Sequence, residues 1–174
     1  MESPSKLVLF EQCIIPHLDA AYNLARWLTR NDHDAEDVVQ EAYLRAFRFF
    51  DSFNGGDGKA WLLAVVRNTC LTWRRREQSL AKVPFDEGSH NPVDAGTNAE
   101  SRLVEQAQFG NLRDCLESLP PEFREALVMR ELEEMPYRDI AAVASLPIGT
   151  VMSRLSRARR RLEDCVTART KGVA

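Results

Sequence analysis

The sequence is poor in the residues on which many functions depend. Its four cysteines, Cys13, Cys70, Cys115 and Cys165, are scattered with no CxxC pair. The first residues offer no charged stretch followed by a long apolar core, so a cytoplasmic protein with reduced thiols is expected. Cys13 and His17 lie four apart and could share a helix face, but two ligands do not make a zinc site. Neither His33 nor His90 has partners at ligand spacing, so no metal and no cofactor is expected. No apolar run approaches the roughly 20 residues that a bilayer span requires, which argues against membrane insertion. There is no nucleophile, acid–base pair or phosphate loop, so neither an enzyme nor a small-molecule substrate is expected. Sustained strand alternation is also missing, which predicts an all-α chain.

What is present is charge, and it is segregated. The 23 Lys plus Arg against 26 Asp plus Glu give a formal net charge of −3, which excludes a uniformly basic nucleic-acid binder. Acidic residues gather at Asp32, Asp34, Glu36, Asp37 and Glu41, and again through Glu131, Glu133 and Glu134, whereas arginines cluster at 74 to 76 and 157 to 161. At 174 residues the chain can hold one domain or two small ones.

Apolar periodicity predicts two helical blocks. In the first, Ser5 to Arg30 is largely helical with a break at Pro16. Asp34 caps a second helix running to about Phe50, since a carboxylate accepts the free amides of the first turn. After the glycine-rich loop Phe53 to Gly58, a third helix runs from about Lys59 to Arg76 with Leu62, Val65, Val66, Thr69 and Trp73 inward. The segment from about Lys82 to Asn98, with its prolines, glycines and small polar residues, reads as a linker. Periodicity resumes at Leu103 and stops at Leu119-Pro120-Pro121; Pro121 suits the first turn of a helix reaching about Glu133.

The most informative stretch is Tyr137 to Leu162. Ile140, Ala141 and Ala144 recur at helical spacing until Ser145-Leu146-Pro147 stops them. From Thr150 the helix restarts with Val151, Leu155, Ala158 and Leu162 on one stripe and Thr150, Ser153, Arg157 and Arg160 away from it. That is a helix-turn-helix with a basic outer face, of a kind that fits the major groove of duplex DNA. An Arg-rich helix end is also often just a solvated face, and helical hairpins occur in proteins that never touch DNA.

The third helix mixes Trp61 and Trp73 with Arg67, Asn68, Arg74, Arg75 and Arg76. Rings and cations together suit single-stranded DNA, which offers base faces and phosphates, although tryptophans at helical spacing more often belong to a core. The acidic helix presents Asp37, Gln40, Glu41 and Arg45 outward, either as a solvated face or as a dock for a partner helix.

Three motifs, DAEDVVQEAYLRAF (34 to 47), KAWLLAVVRNTCLTWRRR (59 to 76) and the long segment from Leu116 to Leu162, together resemble a bacterial sigma factor of the small extracytoplasmic-function (ECF) subgroup of the sigma-70 family. The resemblance implies two helical domains: residues 1–81 for core polymerase binding and minus-ten melting, a linker at 82–99, and residues 100–174 for minus-35 recognition. It implies core RNA polymerase and promoter DNA as partners, and an anti-sigma factor as a third. Asp37, Gln40 and Glu41 match the motif that docks on the clamp helices of polymerase. Trp61 matches a position that helps open the minus-ten element. Asn54 belongs to the segment that captures a flipped base, and Arg67, Asn68, Arg74 and Arg75 would line the strand. Thr150, Ser153 and Arg157 match minus-35 reading positions, with Arg154, Arg159 and Arg160 toward phosphates.

The chain departs from the family in two places. Leu62 stands where primary members place a second aromatic, and Met152 where some relatives carry a basic residue. The rival expectation is a two-domain regulator whose helix-turn-helix binds operators as a dimer.

Overall fold

The computed structural model describes residues 5–81 and 101–172, and every regular element among them is helical. The predicted linker at 82–99 lies outside the described residues.

In the first block, α1 (Lys6–Cys13) gives way at Pro16 to a short 3-10 turn, and α2 (Leu18–Thr29) follows. Arg30, in the left-handed conformation at φ 63°, closes α2. The next helix, α3 (Asp32–Phe49), is capped by Asn31 and not by Asp34: the Asn31 carboxamide accepts the Asp34 amide at 3.1 Å. Asn31, Asp32 and Asp34 can all cap there, and the one whose backbone remains extended (φ −146°, ψ 134°) takes the role. Asp57 caps α4 (Gly58–Leu80), its carboxylate accepting from Lys59 N at 2.9 Å and Ala60 N at 3.3 Å. Helices α2, α3 and α4 bury Leu24, Val38, Ala42, Leu62, Leu63 and Val66 among them.

The second block contains α5 (Ser101–Ser118), α6 (Pro121–Leu127) extended by a π-helical turn at Val128–Leu132, α7 (Tyr137–Ala144) and α8 (Ile148–Lys171). Pro121 occupies the first turn of α6, where a missing amide costs nothing. Ile140 and Val143 of α7 meet Val151, Leu155 and Ala158 of α8 in a common core.

The two blocks are packed on each other, a relationship the periodicity of the sequence does not announce. Helix α7 lies along α4 and α6 approaches α2, so that the buried apolar residues of both form one cluster. Arg124 marks the join. Its guanidinium is buried and donates to the Leu116, Glu117 and Leu119 carbonyls at the end of α5, at 2.9 to 3.2 Å. It also donates to the Trp27 carbonyl in the last turn of α2, at 2.8 Å. One cation thereby satisfies carbonyls at two helix C-termini, the negative ends of two helix dipoles. Burial, with Arg30 nearby, lowers its pKa to about 10, which leaves it charged at neutral pH.

Candidate polymerase and nucleic-acid interface

The helix-turn-helix forms because Ser145 takes the left-handed conformation (φ 54°) after α7 while Pro147 restarts the chain as α8. The Val151, Leu155 and Ala158 stripe is buried, which turns Ser153, Arg157 and Arg160 to solvent with Thr150 half-buried beside them. Met152 is also exposed, so the departure from the basic relatives lies on the open face. Of the arginines expected to meet minus-35 DNA, Arg159 donates to the Glu131 carboxylate at 2.6 Å and Arg154 lies 3.6 Å from Glu125.

On α3, Asp37 and Gln40 are exposed and Glu41 is half-buried. Asp37 stands 3.6 Å from His33, while Glu41 pairs with Arg45 and lies 3.8 Å from Arg76 of α4. Beside them runs an apolar groove of ≈900 Å³ between α2 and α3, lined by Leu18, Tyr22, Val39, Tyr43 and Leu44 and rimmed by Glu36 and Gln40. Burial pushes the Tyr43 hydroxyl up to about 12, so it stays protonated, and it donates to the Ile14 carbonyl at 3.4 Å.

The residues predicted to meet the minus-ten strand divide into two sets. Asn54, Asn68 and Arg75 are exposed and Arg74 is half-buried. Trp61 is a half-buried member of an aromatic cluster, with Phe53 at 5.4 Å and Phe50 at 6.2 Å between ring centroids. Leu62, beside it, is fully buried. Arg67 is spoken for. It donates to both oxygens of Glu125 in the second block, Nε at 2.8 Å and Nη2 at 3.1 Å. Such bidentate charge-assisted pairs are the strong ones, and here the carboxylate is only 5% exposed.

Glu125 therefore collects Arg67 from α4 and Arg154 from α8. A second acid, Glu133, plays a similar part: Lys59 Nζ lies 3.0 Å from its carboxylate and donates to its backbone carbonyl at 2.7 Å, and the Asn23 carboxamide donates at 3.1 Å. The sequence reading missed Glu125, Glu133, Lys59 and Arg124. A signal existed only for α6, where Arg124 and Glu125 interrupt an otherwise apolar run and so are charges placed in a core. Nothing in the sequence pairs them with partners 58 to 110 residues away.

The expectation of reduced thiols is corrected by a disulfide between Cys115 of α5 and Cys165 of α8. No short cysteine spacing announces it, because the two helices bring together residues 50 apart.

Comparisons with known proteins agree with this geometry. The family model described as Sigma-70 region 2 matches residues 14–80, and that described as Sigma-70, region 4 matches residues 109–162. The ECF RNA polymerase sigma factor SigE of Mycolicibacterium smegmatis is 32% identical over 166 residues, which cover 95% of this chain and 64% of that protein. The ECF RNA polymerase sigma-E factor of Haemophilus influenzae is 37% identical over 153 residues, 81% of this chain and 78% of that one. Among solved structures, the sigma factor RpoE of Bartonella quintana, in complex with the anti-sigma factor NepR, superposes with a TM-score of 0.72 at 29% identity, covering 91% of this chain and 96% of that one.

Proposed function

This chain belongs to the extracytoplasmic-function group of the sigma-70 family, and on that premise we propose that it binds core RNA polymerase and directs it to start transcription at particular promoters. Residues 1–81 form the unit that docks on polymerase and opens the minus-ten element, 82–99 the linker, and 100–174 the unit that reads the minus-35 element. It acts in the cytoplasm, where polymerase and chromosome are, and it is an initiation factor: RNA synthesis is the polymerase's catalysis. An anti-sigma factor is a further partner, by likeness to the Bartonella complex.

The observation that carries the reading is the presence in one chain of two complementary surfaces. The basic outer face of α8 offers Ser153, Arg157 and Arg160 to a major groove, with Thr150 at its start. The acidic face of α3 offers Asp37, Gln40 and Glu41, beside an apolar groove, to a basic helical partner. Asn54, Trp61, Asn68, Arg74 and Arg75 then meet the separated minus-ten strand. Because Trp61 is already packed on Phe50 and Phe53, it is a pre-positioned edge against which a base stacks.

The packed arrangement sets a condition on this function. Arg67 serves the minus-ten strand and Arg154 the minus-35 phosphates, two elements separated by roughly two turns of duplex, about 70 Å. Both arginines cannot hold Glu125 and do so. The blocks part when the chain engages polymerase, and unstacking, at a few kcal/mol per base, draws on contacts the polymerase supplies.

Run-off transcription with core polymerase tests the reading: a defined start that depends on this chain supports it. Inhibition without initiation would indicate a module that sequesters a partner, and tight sequence-specific binding by the chain alone an operator-binding regulator.

A further inference from the structure

The disulfide joins α5 to α8 in the second block. Within that block α8 is the helix on which α5 chiefly packs, and among the described side chains of α5 the apolar hold is thin: Phe109 is 70% exposed and Leu112 is on the surface, leaving Cys115, Leu116 and the following Leu119 inward. The Cys115–Cys165 bond joins these two helices, and the neighbouring Asp114 forms an exposed ion pair with Arg169 at 2.8 Å. The end of α5 is also part of the join between blocks. Its carbonyls hold Arg124, which reaches the Trp27 carbonyl, and the Glu117 carboxylate lies 3.8 Å from Arg26 of α2.

We propose that Cys115 and Cys165 form a reversible dithiol–disulfide couple that sets how firmly α5, and through it the join between the two blocks, is held. Oxidation fixes α5 on α8 and favours the packed arrangement; reduction loosens α5 and lets the blocks part. The oxidant is a hydroperoxide. Cys165 is partly exposed and reacts first: its thiolate attacks the peroxide, an S–O bond forms as the O–O bond breaks, and the departing oxygen leaves as water or an alcohol after taking a proton. The fully buried Cys115 then attacks the sulfenic sulfur; the S–S bond forms, the S–O bond breaks and water leaves with the second proton. Two thiols lose two electrons and two protons, and one peroxide is reduced. A small dithiol reverses the step by exchange. Cys70 is a bystander, since it is buried in α4 of the first block, away from the α5–α8 contact.

A consequence, that the oxidised chain is less available to polymerase, rests on the sigma-factor reading; the experiment does not. The full chain is treated with hydrogen peroxide or with dithiothreitol, mapped by peptide mass, and followed by hydrogen exchange, with a donor–acceptor dye pair on α3 and α8 reporting the distance between blocks. Peroxide is expected to remove about 2 Da and to link Cys115 to Cys165. Reduction is expected to speed amide exchange in α5 about tenfold or more and to lengthen the dye distance. The Cys115→Ser, Cys165→Ser double variant should match the reduced pattern and ignore peroxide. Linkage through Cys13 or Cys70, linkage between chains, or equal exchange and distance in the two states overturns the proposal. If the double variant does not fold, the reduced natural chain gives the same comparison.

Discussion

Arg67 grips Glu125 through two hydrogen bonds, 2.8 and 3.1 Å long, across 58 residues of sequence. The pair joins α4 to α6, the helix that leads into the helix-turn-helix, and it engages a cation that the proposed function assigns to the minus-ten strand. Glu125 is thus the residue through which the packed arrangement holds both Arg67 and Arg154.

Glu125→Gln should weaken the packed arrangement by about 2 kcal/mol or more, because two poorly exposed guanidinium groups lose their anionic partner. Small-angle scattering should record a larger radius of gyration, and promoter-dependent initiation with polymerase should need less of the chain. An unchanged radius would deny Glu125 this role.

Without polymerase the chain should bind promoter DNA about 100-fold or more weakly than in the holoenzyme, since two small modules gain avidity only when a partner fixes their spacing, and acidic residues repel the duplex. Gel-shift titrations with and without core polymerase give the ratio.

Arg157→Ala should cost about 1–3 kcal/mol at one minus-35 position if the side chain reads a base, and should weaken all sequences alike if it holds a phosphate. Binding to a set of single-base minus-35 variants separates the two. Arg159→Ala should act more weakly on DNA, because Glu131 already holds that guanidinium.

Gly58→Ala should destabilise the first block by about 1–3 kcal/mol, as an added Cβ would lie 2.3 Å from the Cys13 carbonyl oxygen. Gly56→Ala, where nothing lies within 4 Å, should leave thermal stability unchanged. The glycine-rich loop read as a base-capture segment therefore contains one glycine required by packing.

Ser145→Gly should stabilise the second block by about 1 kcal/mol, since Ser145 sits at φ 54° where a Cβ is penalised. Chemical denaturation would register it as a higher midpoint at constant slope.

Much of the helical content was legible because helices write themselves locally. The stripe Val151, Leu155, Ala158 repeats at helical spacing, and Pro16, Pro121 and Pro147 punctuate the chain where the structure breaks. Caps were less legible: Asn31, Asp32 and Asp34 are chemically near-equivalent, and backbone geometry selects Asn31. The outward faces of α3 and α8 followed from the same periodicity, because a side chain that is not on the apolar stripe of an amphipathic helix points to water.

By itself the sequence determined an all-α chain, the helix-turn-helix and its basic face, the acidic face of α3, and the motifs that place the chain among sigma factors. Only the tertiary structure decided that the two blocks lie against each other, that Arg67 and Arg154 share Glu125, that Arg124 ties α2 to the end of α5, and that Cys115 meets Cys165. The reason is physical. Periodicity reports which side of a helix avoids water, whereas a buried ion pair or a thiol pair depends on two helices meeting, and the residues that meet are separated by chain lengths over which local pattern carries no information.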